Sequence, residues 1–458
     1  LRRALNSVWL LAALAPLVVL LQWMAFRDLL LDDAYISYRY AENLVLGRGF
    51  VFNPGEWRLG STAPGHVLIA AALRALVGHD ALPAAMVVVG CLGWTAQAVL
   101  VLQLLAPLGP WRSRVAAAGV LLGGAGSGMF VSLETNVVAA LVLASALAAE
   151  RSRPVSSGAL AGLAVLTRPD ALAWAGLLAL WGLRSLARGA AGPAWRSALA
   201  PAVAFCAPVL PWALFALHAF GSPLPATAAA KYHQTALGEY ALHLLRVGPS
   251  QFAPADAWPA LLAIAGLAAW GATAWFRAGG AGPVLLAWAA GHGLCYLALR
   301  PLTLFLWHAY PIMLLVVTCA FAGAAGLATH PSLRPPIRRL ARLAVALLLA
   351  VVVQRAHATA TRYDSNYWGG QRTRVYLQVA DWLRAHVPPT GRVALMEVGL
   401  IAWHSDVRVH DLAGLVTPRT QWMPPDVTHV VAITHFPRDF NPGRGARGGP
   451  PPRRRGGR

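Results

Sequence analysis

The sequence predicts an all-α polytopic membrane protein of about 11 transmembrane helices with a small C-terminal extracytoplasmic α/β module. Three observations carry this. Of 458 residues, 57% are hydrophobic and only 12% charged, where a soluble domain carries about 25% charged residues. Apolar runs close to the ~20 residues a bilayer requires recur along the chain. Arginines cluster in the short segments between those runs, as cytoplasmic loops do.

The runs place spans at 8–27, 82–107, 115–131, 134–149, 157–167, 171–187, 198–219, 259–276, 284–299, 309–328 and 343–356. The first follows Arg2 and Arg3 and reads as a retained span with a cytoplasmic N-terminus rather than a cleaved signal. The fifth is too short to cross alone, and Thr167-Arg168-Pro169-Asp170 predicts a broken or re-entrant pair with the sixth. On this topology Arg112 and Arg114, Arg151 and Arg153, Arg184, Arg188 and Arg196, Arg277, and Arg334 to Arg342 fall inside. Among the acidic residues before position 356, only Glu150 falls with them. The C-terminal segment is then extracytoplasmic, and the alanine and arginine excess suits a high-GC bacterium and its plasma membrane.

The chain divides into a transmembrane domain (1–356, with outer loops 28–81 and 221–258), a small α/β module (357–440) and an Arg/Gly/Pro tail (441–458). Helical stretches are expected near 34–46 and 66–77, and an amphipathic helix over 374–386. Short strands are expected over 392–397, 407–412 and 429–434. The tail has too few apolar residues for a core and is expected to be disordered. The net charge of +20 does not indicate nucleic acid, because no basic face is interleaved with exposed aromatics. The four cysteines lie in apolar runs without metal spacing and read as small buried hydrophobes.

Asp32, Asp33, Glu134 and Asp170 each abut an apolar run at its outer boundary, where an ionisable group is costly and a functional candidate by default. Asp32 and Asp33 open a helix just outside the first span. Either they cap it, or one is a general base and the other its orienting neighbour, adjacent like charges pushing one pKa toward neutrality. Lys231 is the only lysine among 38 Lys and Arg residues. Its compact ammonium suits a phosphate, and a neutral loop substitution is the plain alternative. Arg168 is a second phosphate candidate, or else the partner of Asp170 in a structural ion pair. His233, His292 and His308 sit at no convincing ligand spacing. Trp307, His308 and Tyr310 form either an interfacial belt or a stacking surface for a sugar or prenyl chain.

The run Asp32-Asp33-Ala34-Tyr35-Ile36-Ser37-Tyr38-Arg39-Tyr40, followed by Phe52-Asn53-Pro54-Gly55-Glu56, resembles the first outer loop of the GT-C glycosyltransferase superfamily. In particular it resembles the bacterial branch that includes terminal arabinofuranosyltransferases. Glu134-Thr135, Arg168-Pro169-Asp170, Gly221 to Thr227 leading into Ala230-Lys231, Glu397-Val398-Gly399 and Asp411 to Leu415 extend the resemblance over most of the chain. Where that branch carries an aromatic after Thr-x-Pro, this chain has Thr62-Ala63-Pro64-Gly65-His66.

The resemblance implies an enzyme, a polyprenyl-phosphate-sugar-dependent hexosyl- or pentosyltransferase. Its donor would be a polyprenyl-phosphate sugar, and its acceptor an outer-face glycan, lipid or protein, with arabinofuranosyl transfer in cell-wall assembly as the first expectation. Asp32 or Asp33 would be catalytic, and Lys231 and Arg168 would bind the donor phosphate. Tyr38, Arg39, Glu56, His66, Glu134, Asp170, Tyr232, His233, Trp307, His308 and Tyr310 would line the substrate pocket. Lipid phosphate is already an adequate leaving group, so no cofactor is obligatory, though a divalent metal is compatible. A transporter or flippase of a lipid-linked sugar is the rival class. It predicts internal repeats and charges near the bilayer centre, and neither is evident; a scaffold in cell-wall assembly would not need the Asp pair and Lys231 together.

Overall fold

The computed structural model describes residues 2–29, 31–123, 126–187, 194–227, 239, 258–301, 306–362, 372–417, 424 and 426–431. The helices are α1 (Arg2–Phe26), α2 (Asp32–Val45), α3 (Pro64–Val77), α4 (Leu82–Leu104), α5 (Pro110–Leu121), α6 (Thr135–Glu150), α7 (Pro154–Thr167), α8 (Leu172–Ala187) and α9 (Ala194–Phe220). They continue with α10 (Trp258–Ala278), α11 (Gly282–Leu299), α12 (Leu306–Ala328), α13 (Pro335–Arg362), α14 (Arg372–His386) and α15 (Gly399–Ser405).

Ten of the eleven expected spans each match one helix, α1, α4 and α6 to α13, whereas the third, expected over 115–131, overlaps only the end of α5, which stops at Leu121 ahead of a 3-10 turn over Ser127–Phe130. By length and composition, α4, residues 199–220 of α9, α10, α11 and α12 are apolar enough to cross a membrane unaided. The fold is that of a multi-pass membrane protein. Helix α7 ends where expected. Arg168, next to Pro169, is extended (φ −151°, ψ 126°), and a short 3-10 turn over Pro169–Ala171 leads into α8. A residue before proline is excluded from the helical region by the ring.

Small residues let these helices meet closely. A β-carbon on Gly271 of α10 would lie 1.9 Å from the Cys319 carbonyl of α12, and one on Gly158 of α7 would lie 2.1 Å from that of Pro201 in α9. The bundle core holds Trp174, Trp275, Trp288 and Tyr310. All four cysteines lie in helices, but only Cys91 and Cys319 are buried. Cys206 and Cys295 are exposed on helix surfaces, contrary to the expectation, because apolar helix faces there have no protein neighbour.

The C-terminal module contains α14, β1 (Arg392–Leu395), α15, β2 (Arg408–Asp411) and β3 (Val427–Val430). The three strands are parallel in the order β2-β1-β3, with Arg392 opposite Arg408 and Leu395 opposite Asp411. Parallel neighbours need a crossover, and α15 supplies it between β1 and β2. This seven-residue helix was not anticipated. The third strand was expected two residues later than β3, and the tail lies outside the described residues. The module does not form a core by itself. Tyr38, Tyr40 and Phe52 of the first loop pack in one cluster with Tyr376, Ile401, Trp403 and Val409 of the module.

Candidate active site

Asp32 and Asp33 occupy the first turn of α2, where carboxylates complement the helix dipole. Asp32 also reaches the module. Its Oδ1 accepts the Leu400 amide at 2.8 Å and its Oδ2 the Gly399 amide at 3.0 Å. The carboxylate thus supplies the acceptor that the start of α15 lacks within its own helix. The expected capping role falls to Asp32, but the helix it caps is in the module.

Glu397, two residues before Gly399, forms an ion pair with Arg372 at the start of α14, and Arg372 Nε donates to the Tyr376 hydroxyl at 2.9 Å. Asp32 and Glu397 both feel the Arg372 charge. Burial pushes Asp32 up to about 6, with Asp33 adding to the effect and the two amides and Arg372 opposing it. Burial followed by the Asp32 charge pushes Glu397 up to about 7, against Arg372.

Arg39, Glu56 and Asn53 join the loop to the module. The Arg39 guanidinium is buried and donates to the carbonyls of Phe52 (3.3 Å) and Ala402 (3.0 Å) and to Asp406. Glu56 Oε1 receives Arg392 at 2.7 Å and Arg408 at 2.8 Å. Asn53 pairs with Val409 in both directions, donating to its carbonyl at 2.8 Å and accepting its amide at 3.0 Å. The Asp411–Leu415 segment is a turn built on one carboxylate, whose oxygens accept the amides of Ala413, Leu415 and Val416.

A second polar cluster lies where α6, α7 and α11 meet. Arg168 donates to Glu134 at 2.9 Å, to Asp170 at 2.7 Å and to the Tyr296 hydroxyl at 3.1 Å, while that hydroxyl donates to Asp170 at 3.0 Å. Arg168 therefore has the ion-pair partner anticipated for it and a second carboxylate as well. Tyr296 was missed, because a tyrosine in an apolar run carries no signal of its partner. The two clusters are linked through residues 132–134. The Tyr38 hydroxyl donates to the Ser132 carbonyl at 3.0 Å, and both Tyr38 and His66 feel the Glu134 charge. His66 is buried, and burial lowers its pKa against the opposing effects of the Glu134 charge and the Ser132 backbone.

Beside Tyr296, a cleft of about 300 Å³ opens between α11 and α12. Ala289, Leu297, Ala309 and Ile312 give it apolar walls, and His292, Tyr296 and His308 stand at its polar edge. His308 stacks on Tyr296 with centroids 4.7 Å apart, and its carbonyl lies 2.7 Å from His292 Nε2. Trp307 borders a smaller adjoining cavity that reaches Arg168. Tyr310 touches that cavity too, but its hydroxyl sits in the bundle core between Gln97 Oε1 (2.7 Å) and Ser127 Oγ (2.6 Å). Lys231, Tyr232 and His233 lie outside the described residues. Among the described residues, no three His, Cys, Asp or Glu side chains are gathered as a metal site.

A family described as a domain of unknown function, DUF8728, matches residues 365–440. No curated protein matches at the level of sequence. Solved structures do match. ArnT from Cupriavidus metallidurans bound to undecaprenyl phosphate aligns at 13% identity over 90% of this chain and 89% of its own, with a TM-score of 0.62. Its apo form aligns at 15% identity over 91% and 90%, with a TM-score of 0.61. The oligosaccharyltransferase AglB from Archaeoglobus fulgidus, with an inhibitory peptide and a dolichol-phosphate, aligns at 13% identity over 88% of this chain and 64% of its own, with a TM-score of 0.55. A crystal form of that archaeal enzyme contains zinc and sulfate. The chain shares its fold with these structures.

Proposed function

We propose that the chain is a glycosyltransferase. It moves a sugar from a polyprenyl-phosphate donor to a glycan, lipid or protein acceptor on the outer face of a bacterial plasma membrane, with its N-terminus cytoplasmic. The observation that carries this reading is the placement of the Asp32–Asp33 pair under the C-terminal module, joined through Ser132 and Glu134 to Arg168 and the apolar cleft beside it. A fold shared with an undecaprenyl-phosphate-bound structure supports it. The sugar suggested by the first-loop resemblance is arabinofuranose, in cell-wall assembly.

In this reading the acceptor hydroxyl attacks the anomeric carbon, its proton passes to a carboxylate, and the bond from that carbon to the lipid phosphate breaks, the phosphate keeping the electron pair. One carboxylate of the Asp32–Asp33 pair is the base and the other its orienting neighbour, with both Asp32 oxygens accepting backbone amides. Lys231 supplies countercharge to the departing phosphate. Arg168, already facing two carboxylates, contributes a positioned N–H more than net charge. The cleft between α11 and α12 accommodates part of the prenyl chain, with Trp307 and His308 at its head and His66 and Tyr38 on the side of the base.

The test is sugar transfer by purified protein from a panel of polyprenyl-phosphate sugars. Wild type should transfer one of them, and Asp33→Asn should fall by about 10²–10⁴-fold while staying folded. If lipid phosphate binds, dependent on Lys231, yet no donor yields a glycosidic product, the chain is a lipid-linked-sugar transporter instead.

A further inference from the structure

The small cavity that Trp307 borders has a volume of about 10 Å³, room for one water molecule. Its walls include Thr135 and Val138 of α6, Arg168 and Asp170 at the break after α7, and Trp288 and His292 of α11. Thr135, Trp288 and His292 are only 1%, 2% and 2% exposed. Among the described residues, Thr135 Oγ1, Trp288 Nε1 and His292 Nδ1 have no hydrogen-bond partner. Inside a bundle surrounded by lipid, buried polar groups have no bulk solvent to turn to, and leaving them unpaired is costly. We infer that a single internal water fills this cavity and joins the three atoms to the Arg168–Asp170 ion pair. The site holds whether or not the chain transfers sugar.

The donors and acceptors on the wall select the ligand. Trp288 Nε1 is a donor only. His292 Nε2 lies 2.7 Å from the His308 carbonyl, which can only accept, so Nε2 carries the proton and Nδ1 of the neutral ring is an acceptor. Thr135 Oγ1 serves as either. Asp170 Oδ1 accepts Arg168 Nε at 3.2 Å and, as a carboxylate oxygen, has capacity for a second donor. Water satisfies this set completely. Its oxygen accepts from Trp288 and Thr135, and its two hydrogens go to His292 Nδ1 and the Asp170 carboxylate. A cation in the same place would face the Arg168 guanidinium and the Trp288 N–H, and an anion would face the Asp170 charge and the His292 lone pair. The water ties α6 and α11 to the turn between α7 and α8. Through His292 the chain of bonds continues to the His308 carbonyl, at the edge of the cleft between α11 and α12.

X-ray radiolysis of the full-length protein in detergent tests this. Radicals formed from a bound water oxidise the side chains beside it, and mass spectrometry reads the rate at each residue. Trp288 and His292 should oxidise several-fold faster than Trp174 and Trp275, which are as deeply buried at 0% and 2% exposure. Val138→Ile adds a methylene to the wall of a cavity with room for one water, and should bring Trp288 and His292 down to the Trp174 rate. Thr135→Val keeps the shape but removes a hydroxyl partner, so it should slow both residues, and it carries the test if the isoleucine variant does not fold. A wild-type Trp288 as slow as Trp174 means a dry cavity and overturns the inference. Fast oxidation of His292 beside a slow Trp288 overturns it too, because water then reaches the ring from the cleft, whose lining includes His292 and not Trp288. Wild-type rates retained in the folded variants would put the water elsewhere and overturn the assignment to this cavity.

Discussion

A β-carbon on Gly399 would lie 1.9 Å from the backbone carbonyl oxygen of Asp32, so the two main chains are in direct contact at the start of α15. No side chain fits between them, and the contact also sets the reach of the Asp32 carboxylate to the Gly399 and Leu400 amides. Gly399→Ala should therefore push α15 off α2. The expected cost is about 1–3 kcal/mol, in the range of overpacking a close contact. Thermal unfolding in detergent reads it, and transfer should fall as well because the Asp32 carboxylate loses the Gly399 and Leu400 amides. Unchanged unfolding and unchanged transfer in Gly399→Ala would show that the contact is not needed.

Asn53 behaves toward Val409 as an extra strand partner, with one donor and one acceptor both engaged, and its amide nitrogen also meets Glu56 at 2.9 Å. Asn53→Ala leaves the Val409 amide and carbonyl buried and unpaired, at a cost of about 1–3 kcal/mol. Asn53→Asp should be worse, since it turns a donor into an acceptor facing both the Val409 carbonyl and the Glu56 carboxylate. The ranking wild type, Ala, Asp in unfolding temperature tests this, and an Asp variant as stable as Ala would contradict it.

Arg168 is buried against two carboxylates, and its removal strands both. Arg168→Met should cost about 3–5 kcal/mol, as breaking a buried charged network does. Adding Glu134→Gln and Asp170→Asn to Arg168→Met removes the stranded charges and should recover a large part of that loss, without recovering transfer. Thermal unfolding of the single and triple variants separates the two effects. If the triple variant is no more stable than the single one, the network is not held by charge.

These residues also show which features a sequence can reveal. Ten of the expected spans match helices because lipid imposes length and polarity on each segment separately. The break after Thr167 was legible for the same local reason, Pro169. Arg39 and Glu56 were expected in a substrate pocket, and the structure places them in the joint between loop and module. Nothing near Glu56 in sequence indicates that Arg392, 336 positions later, will meet it. Glu397 stood out only through resemblance, and α15 is too short for a periodic signal. Tyr296 went unseen because its partners, Arg168 and Asp170, lie on another helix pair.

The pH dependence of stability follows from the carboxyls and has a definite sign. Asp32 and Glu397 hold their protons more tightly in the folded protein, at about 6 and about 7, than the ordinary 3.8 and 4.5. Between those bounds the folded state binds more protons than the unfolded one, so stability falls as pH rises from about 4 to about 7. The stabilisation is complete below the ordinary values, where the folded state has its full advantage. Glu56 works in the opposite sense. Burial raises its pKa, but Asn53, Arg392 and Arg408 outweigh that and hold it below 4.5, so its contribution is lost only as pH falls through that lower value. The two windows have opposite signs and meet near pH 4, which makes them separable in one titration. Unfolding temperature should decline from about pH 5 to about pH 7, and Glu397→Gln should flatten much of that decline while leaving the acid-side loss in place. A decline of the same slope in Glu397→Gln would assign the missing proton to a group outside this cluster.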